Sequence, residues 1–169
     1  MKLWVIRHGV AEDRAPGGDD GARRLTPRGR TKMQAAARGM VGLGMRFDTL
    51  LTSPLARAAE TAAIVAAAFG GTPPPRELAA LAQGTPPAEM LRALRPFLRR
   101  PRVALVGHEP GLSALVALLL TGSPDGLALD LKKGGVVALE LSDPRSSRAV
   151  LRAVFTPRAL RRVGRATSS

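Results

Sequence analysis

The chain has 169 residues, 26 of them basic and 13 acidic, for a formal charge of +13, and it contains no cysteine. Disulfide scaffolds, thiolate nucleophiles and Cys-based metal centres are thereby excluded, and with His8 and His108 as the sole histidines a His-rich metal site is nearly excluded too. No apolar run approaches the 18 residues a membrane span needs, and Arg7 and His8 cut short the apolar start that a signal peptide requires, so a soluble, cytoplasmic protein is expected, with one domain over residues 1–169.

The basic excess is almost all arginine, the lysines being Lys2, Lys32, Lys132 and Lys133. A nucleic-acid binder would use such charge, but Tyr is absent and Trp4 and four Phe are the whole aromatic complement, so platforms for stacking bases are scarce. An anionic substrate or an acidic protein partner fits the charge equally well.

Along the chain, Lys2 to Arg7 reads as a short strand that ends at Gly9. Residues 9–24 are rich in Gly, Pro and Asp and read as a mobile loop. Thr26-Pro27 has the form of an N-cap followed by Pro at the first helical position, opening a helix that runs to about Met40 and ends at Gly42 and Gly44. Asp48 to Thr52 is the second strand, and Ser53-Pro54 repeats the cap signal ahead of an Ala-rich helix, Leu55 to Phe69, stopped by Gly70-Gly71.

After the linker Thr72–Pro75, Arg76 to Leu81 reads as a weak extended segment. Pro86-Pro87 opens a helix towards Arg99, with Ala88, Leu91, Leu94 and Leu98 near one face and Pro96 predicting a kink or early stop. Arg102 to Val106 is a continuous apolar strand of the kind buried in parallel sheets. The turn Gly107–Gly111 leads into the apolar helix Leu112 to Leu120, and strands near Gly135–Leu141 and Ala149–Phe155 precede a short basic helix from Pro157. This alternation predicts an α/β fold: a three-layer α/β/α sandwich on a mostly parallel sheet.

Ligands of open α/β sheets gather beyond the carboxyl ends of the strands. Here the first strand ends in Arg7-His8-Gly9, the second runs into Ser53-Pro54-Leu55-Ala56-Arg57, and the Arg102–Val106 strand ends in Gly107-His108-Glu109-Pro110. Both histidines therefore fall at one sheet edge. Gly9 and Gly107 would let backbone approach a phosphate closely, or serve as turn glycines.

These motifs, with Leu25-Thr26-Pro27-Arg28-Gly29, the continuation Ala58-Ala59-Glu60-Thr61, Lys132-Lys133-Gly134-Gly135 and Thr156-Pro157-Arg158-Ala159-Leu160, resemble the histidine phosphatase superfamily, of phosphoglycerate-mutase-like fold, and its short phosphohistidine-phosphatase branch. The resemblance implies that His8 attacks phosphorus and carries a phosphohistidine, that Arg7 and Arg57 clamp the phosphoryl oxygens, and that His108 donates to one of them. Gly9 would contribute to substrate binding. No cofactor or metal is implied, since two arginines and a second histidine supply the positive charge.

Two departures bear on the substrate. Larger family members carry a Glu after the third strand as general acid, where this chain reads Ala79-Ala80-Leu81 with Glu77 as the nearby carboxyl and a possible weak acid; many also carry an Asn where this chain has Arg14. A missing acid hinders departure of an alkoxide more than departure of an imidazole. The expected activity is thus a metal-independent phosphatase acting on a phosphohistidine protein, such as a phosphotransfer domain. The alternatives are a phosphomonoesterase for small phosphorylated molecules and a non-catalytic module binding phosphate or nucleic acid.

Overall fold

The computed structural model describes residues 1–13, 17–71, 73–142 and 148–166, so that Arg14 and Thr72 lie outside the described residues. Its framework is one six-stranded sheet: β1 (Lys2–Arg7), β2 (Thr49–Thr52), β3 (Pro75–Glu77), β4 (Arg102–Gly107), β5 (Val136–Leu141) and β6 (Ala149–Phe155), in the order β3-β2-β4-β1-β5-β6. The pairs β1–β4, β2–β4 and β2–β3 are parallel, while β5 runs antiparallel to both β1 and β6. The mostly parallel expectation holds, with β5 the reversed strand.

The unbroken apolar runs of β1 and β4 follow from burial on both faces. Leu3, Val5, Val103 and Leu105 point into one core, and Trp4, Ile6, Ala104 and Val106 into the other. On the first side lie α3 (Pro87–Leu94) and α4 (Gly111–Thr121), through Met90, Leu94, Leu112 and Leu115. On the second lie α1 (Pro27–Gly42), α2 (Ala56–Ala68) and α5 (Pro157–Ala166), through Met33, Met40, Ala62, Val65 and Leu160. Three layers result.

Thr26 caps α1 as expected, accepting the N–H of Gly29 on its hydroxyl at 2.9 Å. Gly42 stays helical, and the chain turns at Gly44 with φ +70°, a value that costs little without a Cβ. The cap expected at Ser53-Pro54 is displaced: Leu55 remains extended (φ −67°, ψ 134°) and α2 begins at Ala56. The reason lies in Ser53, whose hydroxyl bonds to His108 and accepts the Leu55 N–H instead of capping the helix. The segment expected to be extended from Arg76 to Leu81 keeps only Pro75–Glu77 as strand and then winds into the 3₁₀ turn Ala79–Leu81. The helix from Pro87 stops at Leu94, ahead of Pro96, and its buried side is Met90 and Leu94, with Ala88 exposed. The loop read as mobile holds a 3₁₀ turn, Asp20–Ala22, and a bridge between Ala11 and Leu25.

α5 crosses α1 at backbone contact. A Cβ on Gly39 would stand 1.9 Å from the Leu160 carbonyl oxygen, and one on Gly164 would stand 2.1 Å from that of Ala35. Neither carbonyl can yield without breaking a helix. Gly39→Ala should therefore force the helices apart and cost at least about 1–3 kcal/mol, as overpacking does, read by denaturant unfolding; an unchanged midpoint would contradict this crossing.

Candidate functional site

The carboxyl ends of β2, β4 and β1 are adjacent in the sheet, and they bring Ser53, His108 and His8 together. The His8 and His108 ring centroids stand 5.0 Å apart, tilted by 50°. Both rings are buried, at 6% and 3% exposure, and Arg57 is buried more deeply still at 1%.

His8 is held from three directions. Its N–H donates to the Gly107 carbonyl at 3.1 Å, its own carbonyl accepts the Gly134 N–H at 3.0 Å, and its Nδ1 lies 2.7 Å from the Gly9 carbonyl. A carbonyl only accepts, so Nδ1 carries the proton and the lone pair stays on Nε2. Gly134 adopts φ +79° to reach both the Arg7 and the His8 carbonyls, which gives the Lys132–Gly135 turn its place in the site.

Gly9, expected to bring backbone up to a phosphate, has its N–H engaged by the Thr61 hydroxyl at 3.1 Å, and a Cβ there would meet Leu25 at 3.3 Å. Its smallness serves packing behind His8. Thr61 in turn donates to the Arg57 carbonyl at 2.7 Å and so fixes the β1 end against the first turn of α2.

His108 Nε2 lies 2.9 Å from the Ser53 hydroxyl, which also accepts the Leu55 N–H at 3.2 Å. If the Ser53 hydroxyl donates to Nε2, the neutral ring's own proton lies on Nδ1; if Nε2–H donates to the second lone pair of Ser53, Nδ1 holds the ring lone pair. Nδ1 is buried and has no hydrogen-bond partner among the described residues.

Both arginines repeat this pattern. Arg57 donates from Nη1 to the Asp20 carbonyl at 2.7 Å and from Nη2 to the Asp20 carboxylate at 2.9 Å and Gln83 Oε1 at 2.8 Å, while its Nε is buried and unpartnered. Arg7 donates from Nη1 to the Leu131 carbonyl at 2.8 Å, and its Nε is likewise buried and unpartnered. Two guanidinium donors, Arg7 Nε and Arg57 Nε, and the ring nitrogen His108 Nδ1 thus lack a partner among the described residues around His8.

Burial pushes the His8 imidazole down to about 3, with His108, Arg57 and Arg7 adding repulsion against the Gly9 bond that opposes them. Burial, then Arg57, pushes His108 down to about 4, Asp20 opposing. Burial works against ionisation of Asp20, yet Arg57 and Arg23 hold its carboxyl below its ordinary value. At neutral pH the site therefore combines two neutral imidazoles and two guanidinium ions.

Glu77, the carboxyl singled out by sequence, sits exposed at the end of β3, next to Thr52 of β2, and its side chain makes no hydrogen bond or ion pair among the described residues. The carboxyl that directly follows His108 is Glu109, half-buried, with Oε1 unpartnered among the described residues; burial pushes it above its ordinary value, the one acid so shifted among the described residues. Glu109 was visible in the sequence only as part of the Gly107–Pro110 motif. Asp20 and Gln83 carried no signal at all, since both reach Arg57 from loops distant in sequence, 37 and 26 residues away.

An α/β sheet with two histidines and two arginines gathered at its carboxyl edge is the class that fold and site define. A sequence model described as histidine phosphatase superfamily (branch 1) matches residues 3–83, which include Arg7, His8 and Arg57. An uncharacterized protein, SYNPCC7002_A2622 of Picosynechococcus sp., is 39% identical over 145 residues, 82% of this chain and 84% of that protein. Among solved structures, the protein histidine phosphatase SixA complexed with tungstate superposes with a TM-score of 0.83 at 22% identity, over 95% of this chain and 99% of that one. The alpha-ribazole phosphatase from Shigella flexneri gives 0.72 at 20% identity, over 93% and 97%. By the sequence-model match, residues 3–83 belong to the histidine phosphatase superfamily.

Because both rings are neutral in the fold and take up protons on unfolding, the sign of the pH dependence is fixed. The unfolded chain binds more protons between the depressed values and the ordinary value of about 6.5. Stability should be full above that value and fall as pH drops towards 4, by up to about 1.4 kcal/mol per pH unit for each ring. Replacing His8 or His108 by Ala should flatten the slope in chemical denaturation; an equal slope in the parent and both variants would refute the neutral assignment.

Proposed function

We propose that the chain is a phosphatase that works through a phosphohistidine on His8, and that its substrate is a phosphohistidine on another protein. The observation that carries this reading is the set of buried polar atoms without a partner among the described residues, Arg7 Nε, Arg57 Nε and His108 Nδ1, around a His8 whose Nε2 holds its lone pair. A phosphoryl group spreads its charge over three equatorial oxygens, and fixed donors that need no reorganisation stabilise that charge most. A chain of the same fold is solved with tungstate, an oxyanion of phosphate-like shape, which supports the same use of the pocket.

In the reaction, His8 Nε2 forms a bond to phosphorus while the bond to the leaving group breaks, and the leaving group takes the electron pair. Arg7, Arg57 and His108 hold the three oxygens. Water then attacks phosphorus, the P–N bond to His8 breaks, and inorganic phosphate departs with His8 neutral again. The arginines supply the charge that a divalent cation supplies elsewhere, so the scheme calls for no metal. The whole chain acts as one catalytic domain in this reading.

The phosphoramidate substrate follows from the acid. Glu77 is exposed on an edge strand, and a phosphorylated imidazole leaves without a strong acid to protonate it. Glu109 favours a second reading, a phosphomonoesterase for small molecules, because its raised carboxyl beside His108 could give a proton to an alkoxide.

The test is a panel of phosphohistidine protein, phosphoramidate, aryl phosphate and alkyl phosphate, with EDTA present. The expected order is phosphohistidine and phosphoramidate well ahead of alkyl phosphates, with turnover abolished in His8→Ala and lowered by orders of magnitude in Arg57→Lys, which keeps charge but loses the fork. Turnover at the parent rate in His8→Ala would overturn the mechanism. Glu77→Gln and Glu109→Gln should change kcat for phosphohistidine by much less than the roughly 10²–10⁴-fold of a true general acid. A preference for alkyl phosphates that collapses in Glu109→Gln would establish the second reading instead.

A further inference from the structure

Beside the His8 pocket, on the same edge of the sheet, lies a second cleft of about 210 Å³. Gly9 and Val10 form one wall, directly after the proposed nucleophile, and Gly134, whose N–H holds the His8 carbonyl, forms another. Lys32 of α1, Lys133 of the turn before β5, and Arg161 of α5 line the rest. Lys32 and Arg161 are half-buried and Lys133 is exposed, and none of the three has an ion-pair partner among the described residues.

Three like charges round one small cleft repel one another, and the fold imposes that cost. The glycine-mediated crossing of α5 on α1 carries Arg161 and Lys32 to the same place, and the tight turn at Gly134 adds Lys133. Elsewhere the described cations near carboxylates are paired: Arg24 and Arg30 with Glu60, Arg102 with Asp48, Arg152 with Glu140. In the cleft no described residue supplies the compensating charge. An anion brought from outside would supply it.

We propose that this cleft is the docking site for acidic side chains of the protein substrate, an Asp- or Glu-bearing segment lying next to the phosphohistidine that enters the His8 pocket. The inference rests on the functional reading above and names the partner's chemistry. A cleft open at the surface next to the nucleophile suits a folded partner, whose target histidine and neighbouring carboxylates would arrive as one surface. Charges of this kind act on encounter and on substrate affinity more than on the chemical step.

Two measurements test it with the full chain and the variant Lys32→Gln/Lys133→Gln/Arg161→Gln, none of whose positions belongs to the catalytic set. In the first, a fluorescein-labelled peptide with a central histidine among Asp and Glu residues is titrated, and anisotropy is followed. The parent should bind it, a matched peptide with Lys in place of the acids should not bind, and the variant should bind the acidic peptide about tenfold more weakly with a flatter salt dependence. Equal binding by parent and variant overturns the proposal.

In the second, hydrolysis of a phosphohistidine-carrying phosphotransfer protein is compared with hydrolysis of phosphoramidate. The variant should raise KM for the protein about tenfold while leaving phosphoramidate turnover within about twofold. A loss shared by both substrates would make the cleft a structural support, and a loss confined to small substrates that carry a second anionic group would make it a small-molecule subsite; either overturns the proposal. A parent that binds the acidic peptide but hydrolyses no phosphohistidine would instead sink the functional reading and leave the cleft standing.

Discussion

The rest of the site depends on a guanidinium placed where water barely reaches. Taking an arginine charge out of water costs several kcal/mol unless its donors are met. At Arg57 the chain meets that cost with the Asp20 carboxylate and carbonyl and the Gln83 amide, drawn in from two separate loops. One carboxylate, itself about a third exposed, does not neutralise two arginines, so the pocket stays positive. That surplus helps hold both imidazoles neutral.

The sheet order makes the arrangement possible. β4 lies between β2 and β1, so the residues that follow all three strands open on one edge within a strand spacing or two. Bonds between those ends lock them together: His8 to Gly107, Ser53 to Val106 and to His108, Gly9 to Thr61, and Thr61 to Arg57. Each of these groups is small or buried, and every bond but Thr61 to Arg57, which lies within α2, joins two elements. A site so tied needs little rearrangement to receive its ligand.

This organisation sets what the sequence could reveal. The strands through Leu3–Ile6 and Val103–Val106 were legible because burial on two faces leaves only apolar residues, and the Arg7-His8-Gly9 and Gly107-His108 junctions were legible because they end those strands. The start of α2 was not. Ser53-Pro54 has the chemistry of a cap, and only the position of His108, 55 residues away, shows where the hydroxyl goes. Asp20 and Gln83 were invisible for the same reason, since ordinary polar residues in loops acquire meaning through a distant partner. Glu77 shows the converse, a residue chosen by its place along the chain whose strand lies at the sheet edge, one strand beyond β2.

The division of labour on Arg57 explains why a guanidinium, and no other cation, suits the position. Its two Nη groups belong to the fold, held by Asp20 and Gln83, while its Nε faces no protein acceptor. In the proposed reaction a phosphoryl oxygen takes that free edge, and Asp20 need not be displaced for it to do so. One planar ion therefore keeps its structural bonds while gaining a ligand bond, and its position stays constant between the empty and loaded pocket. A lysine offers a single charged point, for which Asp20 and the phosphate would compete. The same carboxylate would then oppose binding, whereas on a guanidinium it orients the edge that binds.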